Sequence, residues 1–94
     1  MNPFGMRNLG DTKVAVTALG LGGTGVAGMY KAVSDNEATG TVEHAWEAGV
    51  RYFDVAPFYG FGRGETIYGR VLKHCPRDEF VLSTKVGRVV LSLL

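Results

Sequence analysis

Tyr52-Phe53-Asp54-Val55-Ala56-Pro57-Phe58-Tyr59-Gly60, followed further along by Ser83-Thr84-Lys85-Val86-Gly87, decides how this chain is read. The first stretch opens as a strand, the second continues the apolar strand Phe80-Val81-Leu82, and each carries polar groups suited to proton chemistry where its strand ends. In a parallel α/β sheet the carboxyl ends of neighbouring strands share one rim, and such folds build their active sites there. Asp54, Tyr59 and Lys85 then meet although they are distant in the chain. A carboxylate, a phenol and an ammonium on one rim make a proton-donor site. Tyr59 is the acid, Lys85 stabilises the phenolate left by proton loss, and Asp54 holds Lys85 close and charged. A free phenol ionises near a pH of about 10, so at neutral pH it needs a neighbouring cation to release its proton. The plainer reading of Asp54 and Lys85 is a simple ion pair at a strand rim. For Tyr59 it is a loop aromatic packed on Phe58 or Phe61.

Working outward, strands alternate with helices. Ser34-Asp35-Asn36-Glu37 matches a capping box with Ser34 as N-cap. The helix it opens carries Ala38, Thr41, Val42, Ala45, Trp46 and Gly49 at the spacing of one buried face, with Gly49 as the stop. Trp46 reads as a helix-to-sheet packing residue. Val50 to Asp54 is a strand. A second helix runs from about Glu65 to Lys73, with Ile67, Tyr68, Val71 and Leu72 facing inward. Glu79 to Thr84 is the next strand. This alternation predicts a parallel sheet with right-handed crossovers. Upstream, Gly10-Asp11 separates residues 6–9 from 13–16 and predicts a β-hairpin. Residues 17–21 read as the first strand of the parallel sheet, and 22–32 as a Gly-rich loop.

Composition narrows the function classes. A chain of 94 residues is one domain at most. With 46% hydrophobic and 20% charged residues it is neither disordered nor membrane-like. A net charge of +1 without a basic run gives no argument for nucleic acid. No stretch approaches ~18 consecutive apolar residues, so no membrane partner is expected. The opening residues are not followed by a signal-peptide core. Cys75 is the only cysteine, which rules out an internal disulfide and fits a cytoplasmic location. Placed before Pro76 at a helix–strand junction, it reads as a packed or exposed thiol rather than a nucleophile. One Cys with His44 and His74 far apart gives no ligand spacing, so no metal site is expected.

Gly20-Leu21-Gly22-Gly23-Thr24-Gly25 matches G-x-G-x-x-G literally. A dinucleotide-binding Rossmann unit would need a helix opening inside that motif and an acid ~20 residues on. The clear helix start is instead Ser34, so the Rossmann reading is disfavoured.

Phe53-Asp54-x-Ala56-x-x-Tyr59-Gly60 and Ser83-Thr84-Lys85 together resemble the strand-two and strand-three signatures of the aldo-keto reductase family. Arg77-Asp78-Glu79 before the later strand and Val86-Gly87-Arg88 after it resemble the branch of sugar 1-dehydrogenases and pyridoxal 4-dehydrogenases. The resemblance covers about Met6 to Arg88. It implies an α/β fold, the amino-terminal part of a (β/α)8 TIM barrel preceded by a floor-plugging β-hairpin, with about three βα units. Residues 1–94 would be a partial, incomplete barrel domain. It implies an oxidoreductase using NADP or NAD on a small-molecule carbonyl, or on a sugar or pyridoxal hydroxyl in reverse. Asp54, Tyr59 and Lys85 would be the catalytic residues. Gly22, Gly23, Thr24 and Asp54 would lie against the nicotinamide.

The family's fourth catalytic residue, a His on the following strand, has no counterpart here, because His44 and His74 fall in or beside helices. A complete barrel takes about 250 residues, and this chain ends on the apolar run Val89-Val90-Leu91-Ser92-Leu93-Leu94. The expectation is an amino-terminal fragment, poorly folded and inactive alone. Two alternatives stand beside it: a truncated gene product without activity, and a non-catalytic auxiliary subunit of the same fold. Two departures from the family pattern stand out. Gly64 replaces the Ser or Thr expected to cap the second helix, and Val55 stands where Thr is common.

Overall fold

The structure is a computed structural model that describes residues 2–88. The apolar run at 89–94 lies outside the described residues. Strands β1 (Met6–Asn8) and β2 (Ala15–Thr17) form an antiparallel hairpin with Arg7 opposite Val16. Its loop is closed by the Leu9 amide donating to the Val14 carbonyl at 2.9 Å and by the Thr12 hydroxyl on the Leu9 carbonyl at 2.6 Å. Three further strands, β3 (Leu21–Gly22), β4 (Tyr52–Asp54) and β5 (Val81–Ser83), form a parallel sheet in that order. Gly22 pairs with Asp54, and Asp54 with Ser83, so these residues share one level at the carboxyl end. Helices α1 (Asp35–Ala48) and α2 (Arg63–Leu72) make the crossovers. The described residues thus contain two complete βα units and the strand of a third.

The first parallel strand is shorter than its sequence suggests. Residues 17–21 are all apolar or small, yet only Leu21 joins the parallel sheet. The Ala18 amide bonds to the Gly5 carbonyl at 3.0 Å and the Leu19 amide to the Pro3 carbonyl at 2.9 Å, so this stretch prolongs the hairpin's pairing. Thr17 joins the two sheets. It is buried, donates to the Leu19 carbonyl at 2.7 Å and accepts from the Arg51 amide at 3.1 Å.

Helix α1 opens as its capping signal demands. The Ser34 hydroxyl accepts the Glu37 amide at 3.1 Å, satisfying one of the orphan donors of the first turn. The helix ends at Gly49 in left-handed geometry, with φ +118°. Ala38 and Val42 are fully buried on its inner face. Thr41, expected on that face, is exposed and turns its hydroxyl back onto the Glu37 carbonyl at 2.8 Å. Beyond the helix, Arg51 lies over the Trp46 ring at 3.6 Å and donates to the Trp46 carbonyl, placing a cation at the negative end of the helix.

Helix α2 begins two residues earlier than the sequence reading placed it, and this changes the meaning of Gly64. Gly64 does not cap the helix; it is a buried residue of the first turn. A Cβ there would meet Val55 Cγ2 at 3.0 Å and Tyr59 Cβ at 3.3 Å. Its lack of a side chain lets α2 press against the β4–α2 loop. Ile67, Tyr68, Val71 and Leu72 are buried as expected. The core lies between the sheet and both helices and is centred on Phe53. Trp46, Tyr68 and Phe80 surround its ring, with centroids 5.8–6.4 Å away. The start of α1 is tied to α2 by Asp35, whose two oxygens accept from Arg63 at 2.8 Å and Arg70 at 3.2 Å.

Candidate active site

Strand alternation divides β4 between two tasks. Phe53 points to the helices and is fully buried; Tyr52 and Asp54 point to the other side. At the carboxyl end Asp54 is met from β5. Lys85 Nζ donates to Asp54 Oδ2 at 2.8 Å, and Ser83 Oγ donates to Asp54 Oδ1 at 2.5 Å. Lys85 also donates to the Val55 carbonyl at 3.2 Å. The side chain of Val55 is buried in the core, so the departure from Thr there leaves the polar cluster untouched. What Val55 contributes to the cluster is its backbone oxygen.

The electrostatics of the pair are reciprocal. Burial pushes the Asp54 carboxyl up, but the hydrogen bonds from Lys85 and Ser83 and the ammonium charge outweigh it, and the group is held below the ordinary carboxylate value. Lys85 is raised above the ordinary lysine value, chiefly by its hydrogen bond to Asp54, with Tyr59 adding to the effect. Both groups therefore stay charged across the neutral range.

Tyr59 reaches the same place from the β4–α2 loop. Its amide donates to the Ala56 carbonyl at 3.2 Å and its carbonyl accepts from the Gly64 amide at 3.1 Å, which ties the loop to the first turn of α2. Lys85 Nζ stands 5.2 Å from the centre of the Tyr59 ring. Phe58 and Phe61 pack edge-on against each other at 5.6 Å, while the Tyr59 ring keeps company with the lysine. Ala56, Tyr59, Lys85 and Arg88 help line a cavity of about 280 Å³ at this rim. The sheet thus brings Asp54, Tyr59 and Lys85 together. The rim is open: the side chains of Lys85 and Asp54 are 47% and 37% exposed.

The Gly-rich loop begins at the same level. Gly22 is exposed, with no atom within 4 Å of where a Cβ would stand. Gly23 is buried, and a Cβ on it would come within 3.0 Å of the Asp54 carbonyl. The backbone of 22–24 therefore lies against the Asp54 strand end. No helix opens inside the G-x-G-x-x-G stretch; α1 starts at Asp35.

Ser83, read from the sequence only as part of the strand-three signature, joins the cluster; a serine at a strand end carries no local signal for that role, and its partner is on another strand. Tyr68, read as an inward-facing position of the second helix, is buried on the helix side, and its hydroxyl donates to the Leu21 carbonyl at 2.9 Å. Burial, then the nearby Asp54 and Tyr59, push its phenol well above the ordinary tyrosine value, so it stays a protonated strut. Cys75 is half-buried, bonds to the Val71 carbonyl at 3.6 Å and is raised by burial, the state of a packed thiol. His44 and His74 are both exposed.

This arrangement has close relatives. The model of the aldo/keto reductase family matches residues 18–92. D-threo-aldose 1-dehydrogenase of Pseudomonas sp is 49% identical over 77 residues, 82% of this chain and 23% of that protein. Pyridoxal 4-dehydrogenase of Microbacterium luteolum is 48% identical over 84 residues, 89% of this chain and 24% of that protein. Among solved structures, the holo form of an aldo-keto reductase from Bacillus halodurans superposes with a TM-score of 0.76 at 30% identity, covering 87% of this chain and 26% of that one. The chain thus spans about a quarter of the length of the relatives it matches. Its hairpin, parallel strands and helices are the amino-terminal part of a (β/α)8 barrel. With its signatures, its fold and its relatives in agreement, the chain belongs to the aldo/keto reductase family.

Proposed function

We propose that residues 1–94 are part of a barrel domain acting as an NAD(P)-dependent oxidoreductase. It would reduce an aldehyde or ketone, or oxidise a sugar or related alcohol in reverse. The observation that carries this reading is the cluster at the rim, where Asp54 Oδ2 holds Lys85 Nζ at 2.8 Å and Lys85 stands over the Tyr59 ring beside a cavity. The names of the two relatives that are nearly half identical support an aldose-like or pyridoxal-like substrate.

A bound nicotinamide, from NADP or NAD, would exchange hydride with the substrate carbon. This chain's residues manage the proton. Tyr59 donates it to the substrate oxygen as negative charge builds there. Lys85, kept an ammonium by Asp54, stabilises the phenolate that remains. In the oxidative direction the same phenolate takes the proton from the hydroxyl. Gly22 offers bare backbone with open space at the level of Asp54, which fits a flat ring laid against the rim; Gly22, Gly23, Thr24 and Asp54 are the residues we assign to that contact.

The experiment is a graft. Residues 18–88 replace the matching segment of D-threo-aldose 1-dehydrogenase, and nicotinamide absorbance is followed with aldoses and aldehydes. Turnover in the graft is the expected result; a folded graft without turnover refutes the assignment. The 94-residue chain assayed alone is expected to be inactive, since its rim is open to water and positioning supplies much of the rate.

A further inference from the structure

A second polar layer lies below the Asp54–Lys85 pair on the same side of the sheet. Tyr52 precedes Asp54 by two positions and so shares its face, and its hydroxyl lies 3.2 Å from Ser83 Oγ. Ser83 sits opposite Asp54 in register, 2.5 Å from Oδ1, the length of a hydroxyl bonded to a charged carboxylate. Ser83 has a single proton and an ionised carboxylate can only accept. That proton therefore points to Asp54, and the Tyr52 hydroxyl must be the donor to Ser83. The hydrogen bonds run one way, from Tyr52 to Ser83 to Asp54 Oδ1, while Lys85 fills Oδ2. With both oxygens occupied from fixed directions, rotation of the carboxylate would break both contacts.

Resting on the reading of Asp54, Lys85 and Tyr59 as a proton-donor site, we propose that Ser83, its hydroxyl oriented by Tyr52, is a positioning residue. It fixes the plane of the Asp54 carboxylate and, through it, the Lys85 ammonium beside Tyr59. Ser83 touches no reacting atom, and Lys85 alone would leave Oδ1 free to swing. The contact joins β4 to β5, so the site's geometry depends on the register of two strands.

The test is a titration of side-chain carboxyl carbon shifts in the graft of residues 18–88, labelled at aspartate. Asp54 is expected to titrate below an ordinary aspartate. Ser83→Ala shifts its midpoint upward, because the charged form loses a hydrogen bond. Ser83→Thr restores the low midpoint, and Tyr52→Phe shifts it upward by less than Ser83→Ala. A purely structural serine would leave Asp54 unmoved. The proposal is overturned if Asp54 titrates at the ordinary value in the unsubstituted graft, if Ser83→Ala leaves it in place, or if Ser83→Thr fails to restore it. The measurement needs neither cofactor nor turnover. An inactive graft with the expected titration removes the oxidoreductase reading alone; an active graft with an unmoved Asp54 removes the role of Ser83 alone.

Discussion

Phe53 and Asp54 are adjacent in the chain and live in different worlds. Phe53 is fully buried in an aromatic cluster formed with Trp46, Tyr68 and Phe80. Asp54 lies on the open side, 37% exposed, with its oxygens held by Ser83 and Lys85. The helix side of the sheet is apolar and covered by the helices over β4; the other side is polar, partly wet and unpaired with any wall among the described residues. The packed core and the candidate site thus lie on opposite faces of one strand, and the period of two keeps them apart. A change on one face should be read in folding and a change on the other in turnover.

The sharpest way to break that division is Phe53→Ala. Removing a ring enclosed on the helix side leaves a cavity and should lower stability by about 3–5 kcal/mol, measured by denaturant unfolding of the grafted barrel. A loss near zero would mean the aromatic cluster does not hold the sheet.

Tyr59→Phe is the complementary change. It removes one oxygen at the rim and should slow carbonyl reduction by roughly 100-fold or more, with stability and nicotinamide binding nearly unchanged. Steady-state kinetics and a fluorescence titration of the cofactor separate these outcomes. Unaltered turnover would assign the proton to another group.

Ser34→Ala probes the helix layer away from both faces. The Glu37 amide loses its acceptor, at a cost of about 1 kcal/mol in the melting of the graft, with no change in turnover. A fall in activity without a fall in stability would contradict the separation.

The smallest effect concerns pH. Asp54 is held below its ordinary value, so its contribution to stability is complete above that value and is lost as pH falls through the lowered one. Lys85 is held above its ordinary value, so its contribution is complete below that value and is lost as pH rises through the raised one. The melting difference between the unsubstituted graft and its Lys85→Met variant should therefore be flat through neutral pH. It should shrink only in strong acid and strong alkali, and stay small because the pair is solvated. A difference that changes near neutrality would point to a different partner for Lys85.

Among the described residues, β3 and β5 are each paired on one side only. Leu82 on β5 is 41% exposed beside the buried Tyr68 and Leu72. Unpaired edges and uncovered apolar surface favour association.

The sequence by itself determined what is local. The capping of α1 by Ser34, its stop at Gly49, the alternation of strands with helices, and Asp54 and Lys85 at successive strand ends were all legible. Caps, periodicity and strand ends are written within a few residues of one another. Only the tertiary structure decided what depends on distant partners. Residues 18–19 were indistinguishable from strand β3 until Gly5 and Pro3 took their amides. Gly64 looked like a weak cap until the approach of Val55 and Tyr59 showed it as a tightly packed position of the first turn, where a Cβ would press on both. Ser83 became part of the site only when β5 paired with β4 in a register that set it against Asp54. A hydrogen bond between strands 29 positions apart is fixed by pairing, and pairing is settled by the packing of the whole sheet on its helices.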